Sequence, residues 1–215
     1  LWDVRGLRCV NPLALYSQVW LTDSLLPSML QNPATRQAAY RLLASIGVRW
    51  IIVPAQLRPS MAGPVMQAIT SYLYPIPNPM PPLRLVSGHV FTYEGPLLRP
   101  EDVSKLSSPS DVLVRETPSL ASVRSAGPSD RILWSKRTPA RLEAKITASA
   151  TLLLLTGLPA YRGWIATVDG RPARIVQCNG FICGIIVPRG EHIVVLKRDV
   201  RLLTAAMVGY ALLFV

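Results

Sequence analysis

The sequence predicts an α+β chain: a small α/β unit, then an antiparallel β-sandwich, then the start of a transmembrane helix. Three observations carry that reading. A capped helix runs straight into an apolar strand early in the chain, the dipeptides Asp169-Gly170 and Asn179-Gly180 each separate two β-rich runs, and residues 202–215 contain no charged side chain.

In the first unit, residues 1–95, Asn32 is suited to cap a helix and Pro33 to open it. Ala34, Ala38, Leu42 and Ile46 recur every four residues before Gly47, so a helix is expected over 33–46. Residues 48–53, β-branched and aromatic and closed by Pro54, read as a buried strand. A second helix is expected over 63–74, stopped by the prolines at 75, 77, 79, 81 and 82. Residues 83–86 and 90–93, split by Ser87-Gly88-His89, read as a hairpin. Residues 96–110, rich in Pro, Ser, Glu and Asp, have linker composition.

The second unit, residues 111–200, is expected to hold strands at 112–115, 131–136, 141–147 and 151–156. Strands at 164–168, 171–177, 181–187 and 192–197 follow, joined at Asp169-Gly170, Asn179-Gly180 and Arg189-Gly190. Asp-Gly and Asn-Gly favour type I′ turns because both central residues take positive φ. An antiparallel meander results, and with the earlier strands it makes a two-sheet sandwich.

Residues 201–215 read as a transmembrane helix that stops in mid-run. A full span needs about 20 apolar residues, and Ala205, Ala206, Gly209 and Ala211 suit packing among other membrane helices. With no initiator Met and no leader pattern at Leu1, the chain reads as a fragment.

The formal net charge of +11 raises nucleic acid as a partner, but the arginines are scattered singly, without runs or aromatic interleaving. Anionic lipid or cell-wall polymer fits a dispersed basic surface better. Hydrophobic residues make up 50% and charged residues 16% of the chain, against about 25% charged in ordinary soluble domains. Membrane lipid is therefore the expected partner.

Chemistry-bearing patterns are sparse. His89 and His192, the two histidines, are isolated, and no nucleophile elbow, metal-ligand spacing or phosphate-cradling loop occurs, so no cofactor or metal is expected. Asp169, Glu191 and Glu143 are explained by turn and strand-edge positions. About a two-residue Asn179-Gly180 turn, Cys178 and Cys183 would be diagonal, roughly 7–8 Å apart at Cβ. A disulfide needs about 3.5–4.5 Å, so two buried free thiols are expected. Tyr161 and Trp164 are candidate glycan contacts, because exposed aromatics on a β-sandwich stack on sugar rings. Core packing is the competing expectation, since Trp164, Ala166 and Val168 alternate on one apolar face.

Several stretches share a pattern. Tyr161-Arg162-Gly163-Trp164, Val168-Asp169-Gly170-Arg171, Asn179-Gly180 and Val187-Pro188-Arg189-Gly190-Glu191-His192-Ile193-Val194 follow one another over residues 158–197. Weaker matches are Asp3-Val4-Arg5-Gly6, the stretch from Leu42 to Trp50 (LLASIGVRW) and Phe91-Thr92-Tyr93-Glu94. Together they resemble the C-terminal region of the YfhO-type bacterial membrane proteins, a family similar to the GT-C class of membrane glycosyltransferases. Arg162, Leu98-Arg99-Pro100 and Leu196-Lys197-Arg198 depart from that pattern.

The resemblance implies many membrane helices upstream and a catalytic carboxylate on an early outside loop, beyond this chain. It also implies a polyprenyl-phosphate sugar donor, an envelope-glycan product, and an accessory role for residues 1–200 on the extracytoplasmic side. A non-catalytic carbohydrate-binding or assembly module is the alternative. Lys197, Arg198 and Arg201 before the span would favour a cytoplasmic side, but the positive-inside rule governs short loops and is weak for a domain of this length.

Overall fold

A computed structural model of the chain describes residues 24–54, 66–68, 71–115, 118–160 and 163–199. The expected membrane helix over 201–215, the Asp3-Val4-Arg5-Gly6 stretch and the glycan candidate Tyr161 lie outside the described residues. Among the described residues no helix is long and apolar enough to cross a membrane.

The fold is mostly β. Helix α1 (Leu26–Gln31) is followed by α2 (Pro33–Ser45), where the Asn32 side chain accepts the Ala34 N–H at 3.0 Å and Gly47, at φ +82°, ends the run. Strands β1 (Trp50–Pro54), β2 (Met66–Ala68) and β3 (Ser71–Pro75) form a three-stranded antiparallel sheet in the order β1-β3-β2. The helix expected over 63–74 is therefore a pair of strands. Tyr72 and Tyr74 have strand propensity, and pairing of β3 along all of β1, from Trp50↔Pro75 to Pro54↔Ser71, outweighs the helical spacing.

Two larger sheets follow. The six-stranded sheet has the order β4-β9-β13-β12-β6-β5. Its members are β4 (Arg84–Leu85), β5 (Val90–Tyr93), β6 (Val112–Arg115), β9 (Leu152–Pro159), β12 (Ile175–Cys178) and β13 (Ile182–Val187). The five-stranded sheet has the order β11-β10-β14-β8-β7. It is built from β7 (Arg131–Thr138), β8 (Arg141–Ala148), β10 (Trp164–Val168), β11 (Arg171–Ala173) and β14 (Gly190–Arg198).

Alternation along β9 sets the layers. Leu152, Leu154 and Leu158 belong to one core with Leu142, Ala144, Ile146, Val194 and Leu196 of the five-stranded sheet, while Leu153 and Leu155 belong to a second core with Leu42, Leu43 and Ala39 of α2. A strand buried on both faces loses its polar alternation, which is why residues 152–155 are four leucines in a row. The six-stranded sheet is thus a middle layer, with the sandwich core on one side and the helices on the other.

Three further expectations, all of connection, need correction. First, β4 and β5 do not form a hairpin: β4 pairs with β9 and β5 runs parallel to β6. Gly88 between them is a point of close approach, since a Cβ there would stand 2.5 Å from Asp111 Oδ1. Second, residues 96–110 are packed. They carry α3 (Pro100–Ser104), whose Asp102 carboxylate accepts the Arg99 N–H at 3.2 Å, and Leu98, Val103 and Leu106 are buried. Because β4 and β5 share a sheet with strands beyond residue 111, strand pairing crosses the boundary expected there. Third, the final strands are not one meander. The run expected at 171–177 breaks at Arg174, and β11 belongs to one sheet and β12 to the other. Arg189-Gly190 is the return step from β13 to β14 across the sandwich.

The strand expected to stop at Thr156 continues through a bulge in its pairing with β13. Gly157 takes φ +61° there, and the Thr156 hydroxyl donates to the Cys183 carbonyl at 3.0 Å while accepting the Leu158 N–H at 3.2 Å. Pro82 packs so closely on Gly157 that a Cβ would lie 2.5 Å from its own.

Candidate functional site

The quoted signature residues are placed by two turns. At Asp169-Gly170 the φ values are +50° and +77°, and at Asn179-Gly180 they are +47° and +85°, so both dipeptides take the left-handed conformation that their chemistry favours. Asp169 Oδ2 lies 2.7 Å from His192 Nδ1, and Asp169 Oδ1 accepts the Ile193 N–H at 2.8 Å. His192 Nε2 is 3.0 Å from the Arg189 carbonyl oxygen. Two stretches of the signature 23 residues apart are thereby joined.

The second turn is buried. Asn179 Oδ1 accepts the Leu113 N–H at 2.9 Å, and Asn179 Nδ2 donates to Ser45 Oγ at 3.0 Å. Ser45 belongs to the Leu42–Trp50 stretch of the weaker matches, so that stretch also meets the signature directly. The loop is one residue longer than a two-residue turn: Cys178 pairs with Ile182 and Gln177 with Cys183, leaving Phe181 in the connection. Cys178 and Cys183 are therefore on opposite faces of β12–β13, one in each core, and both are free and buried. Burial pushes both thiols up, Cys183 to about 12, which makes them inert.

Next to Ser45 lies a buried cation. Among the described residues Arg84 has no carboxylate partner; Nη1 donates to the Ser45 carbonyl at 2.5 Å and to that of Pro81 at 3.5 Å, and Nη2 to that of Pro109 at 3.4 Å. Ser45 closes α2, and the partial negative charge of a helix C-terminus favours a cation there. Burial lowers the Arg84 pKa to about 10, so it is still charged at neutral pH. Beyond it the buried Asp111 carboxylate accepts the N–H groups of His89, Ser107 and Ser108 and the Ser107 hydroxyl, between 2.8 and 2.9 Å. Burial would raise its pKa, but those hydrogen bonds outweigh it and hold it below the usual range. Composition alone did not reveal this node: Arg84 stands in the strand expected over 83–86, Ser107 in the expected linker and Asp111 at the start of the second unit, with no local signal that brings them together.

Of the two glycan candidates, Trp164 is half-buried at the rim of the sandwich core beside Ala166 and Val168, and the Arg198 guanidinium carbon is 5.8 Å from its ring centroid. Its indole nitrogen is buried with no hydrogen-bond partner among the described residues. The geometry is that of a core-edge aromatic capped by a cation, not of an open stacking platform. A more accessible aromatic is Trp134, 43% exposed on the edge strand β7 and opposite Lys145. Strand periodicity could have pointed to it, but the bulge at Leu133 shifts the alternation. His89 stands 3.4 Å from Asp111 and is largely exposed. Among the described residues no three His, Cys, Asp or Glu side chains are grouped to hold a metal ion.

Compared with protein-family models, with curated proteins and with solved structures, the chain finds no match.

Proposed function

We propose that this chain is the extracytoplasmic accessory region of a polytopic membrane glycosyltransferase-like protein of the YfhO type, acting in cell-envelope glycan assembly with a polyprenyl-phosphate sugar donor. In this reading residues 1–200 stand outside the membrane, residues 201–215 begin a transmembrane helix, and the catalytic carboxylate lies upstream.

The observation that carries the reading is the convergence of the resembling stretches. Asp169 of the Val-Asp-Gly-Arg turn binds His192 of the Gly-Glu-His stretch, and Asn179 of the Asn-Gly turn binds Ser45 of the helix-to-strand stretch. Residues that resemble one family at scattered positions thus meet in two separate hydrogen-bonded pairs, and that pairing supports the reading. The alternative, a carbohydrate-binding or assembly module, is favoured by the exposed Trp134 and Trp50, since Trp164 is partly covered.

Topology is the test. Ser107 is a poor labelling site because its hydroxyl binds Asp111, whereas Ser129 is exposed in the turn before β7. In intact cells expressing the membrane-inserted protein, Ser129→Cys should react with a membrane-impermeant maleimide to the same extent before and after permeabilisation. Reaction only after permeabilisation would overturn the extracytoplasmic reading.

A further inference from the structure

The five-stranded sheet has a basic end. There β7 turns into β8 at Pro139-Ala140, and β14 finishes beside that turn, with the Arg198 N–H donating to the Ala140 carbonyl at 2.9 Å. Lys197 is opposite Arg141, and Arg137 and Lys136 stand one and two residues before Thr138, which is also opposite Arg141. These five cations are all exposed. The acidic groups nearby are Glu143, paired with Arg141 at 2.9 Å, and Asp199, whose N–H is tied to the Gly163 carbonyl. A net positive charge therefore stays on this end.

The opposite end of the same sheet holds Asp130, Asp169 and Glu191, each matched locally. Asp130 accepts from Ser149, Asp169 meets His192, and Glu191 lies 3.1 Å from Lys145. Arg131, Arg171 and Arg189 are exposed at that end too, so the sheet is polarised by excess: five cations against Glu143 and Asp199 where β14 ends, and three arginines with Lys145 against three carboxylates at the far end. From Arg198 the chain reaches Leu202 in four residues, at most ~14 Å, and residues 202–215 are uncharged. A basic rim next to the start of an apolar run, with Trp164 held under Arg198, has the chemistry of a surface that lies on anionic headgroups.

We propose that this end of the five-stranded sheet, formed by Lys136, Arg137, Arg141, Lys197 and Arg198 around the Pro139-Ala140 turn, seats the sandwich on an anionic phospholipid surface. The proposal deepens the functional reading and rests on it only for the nearness of a membrane. Charge complementarity selects lipid over a neutral glycan, and the four-residue tether to the apolar run selects it over a soluble polyanion. The docked sandwich would have its basic end down and the Asp169 turn pointing away.

The test uses the full chain reconstituted in phosphatidylcholine vesicles with and without phosphatidylglycerol, carrying Cys9→Ser and a fluorophore at either Ala140→Cys or Ser129→Cys, which mark opposite ends of the sheet. Quenching by headgroup spin-labelled lipid should be strong at position 140, weak at position 129, and dependent on phosphatidylglycerol. Replacing Lys136, Arg137 and Lys197 together by Gln should weaken the docked state by on the order of a hundredfold, and added salt should weaken it too. The same replacement of Arg131, Arg171 and Arg189 at the far end should leave it unchanged. Equal quenching at both positions, indifference to phosphatidylglycerol, or equal loss from the two triple variants would overturn the proposal. None of these outcomes bears on whether Ser129 is reached from outside the cell, so failure here and failure of the functional reading are told apart.

Discussion

Two turns of nearly the same dipeptide chemistry, Asp169-Gly170 and Asn179-Gly180, end in opposite environments. Gly170 has open space around it and Asp169 is half-exposed, whereas Asn179 is fully buried and Gly180 faces Leu98. Both dipeptides take the same left-handed backbone conformation, although the second loop is one residue longer. The difference is what lies beyond them: the first turn is at the rim of a sheet, and the second inserts between β6 and the end of α2. Local chemistry dictates the backbone of a turn, and tertiary context decides whether its side chain is a surface link or a core contact.

The largest break in that comparison should come from Asn179→Ala. It strands the buried Leu113 N–H, removes the side-chain link between the turn and Ser45, and puts alanine at φ +47°. A buried donor left without a partner costs about 1–3 kcal/mol, and the left-handed conformation adds about 1–2. A total near 3 kcal/mol lowers Tm by roughly 6–12 °C in a protein of this size. Asp169→Ala also places alanine in the left-handed region, at φ +50°, and carries the same conformational cost, but water can replace its hydrogen bonds, so it should cost less than Asn179→Ala by about the 1–3 kcal/mol of the buried donor. Thermal melts giving equal losses would show that burial is not what separates the turns.

The glycines sharpen the same contrast. Gly170→Ala meets only the positive φ, about 1 kcal/mol. In Gly180→Ala the new Cβ also lies 3.0 Å from Leu98 Cδ1, and Leu98 is buried between the loop and α3, so the loss should be about 2 kcal/mol. Chemical denaturation of the two variants checks the ordering, and the reverse order would mean that Leu98 yields freely.

The same logic explains what the sequence made legible. Turn dipeptides, the Asn32-Pro33 cap and the strand runs at 112–115, 131–136, 141–147 and 164–168 are local signals, and the structure places elements there. What depends on partners distant in sequence was not readable. Examples are the exchange of sheets at Arg174, the parallel pairing of β5 with β6, the strands at 66–68 and 71–75, and the docking of residues 96–110 through Val103 and Leu106. The candidate site divides in the same way. Trp164 was legible as a core-edge residue from its alternation with Ala166 and Val168, but the convergence of Lys136, Arg137 and Lys197 at one sheet end requires the register of three strands.

The smallest expected effect distinguishes the turns by pH. In the exposed turn the hydrogen bond from His192 and then that from the Ile193 N–H hold the Asp169 carboxyl below its ordinary 3.8. Partial burial opposes charge on His192, but the hydrogen bonds to Asp169 and to the Arg189 carbonyl outweigh it and raise the imidazole above 6.5. A raised histidine contributes stability that is full below its unfolded value and fades as pH rises through its folded one. A depressed carboxyl contributes stability that is full above its unfolded value and fades as pH falls through its folded one. The pair is therefore strongest between 3.8 and 6.5. Its size is under about 1 kcal/mol, since Asp169 is near half-exposed and screened by solvent. The Tm gap between the unmodified chain and His192→Gln should be widest near about pH 5 and narrow toward about pH 8. The gap for Asn179→Ala should stay constant over that interval, because neither Asn179 nor its partners Ser45 and Leu113 titrate. A His192→Gln gap that widened with pH would mean that the imidazole is held neutral, and that its link to Asp169 does not carry the charge assigned to it.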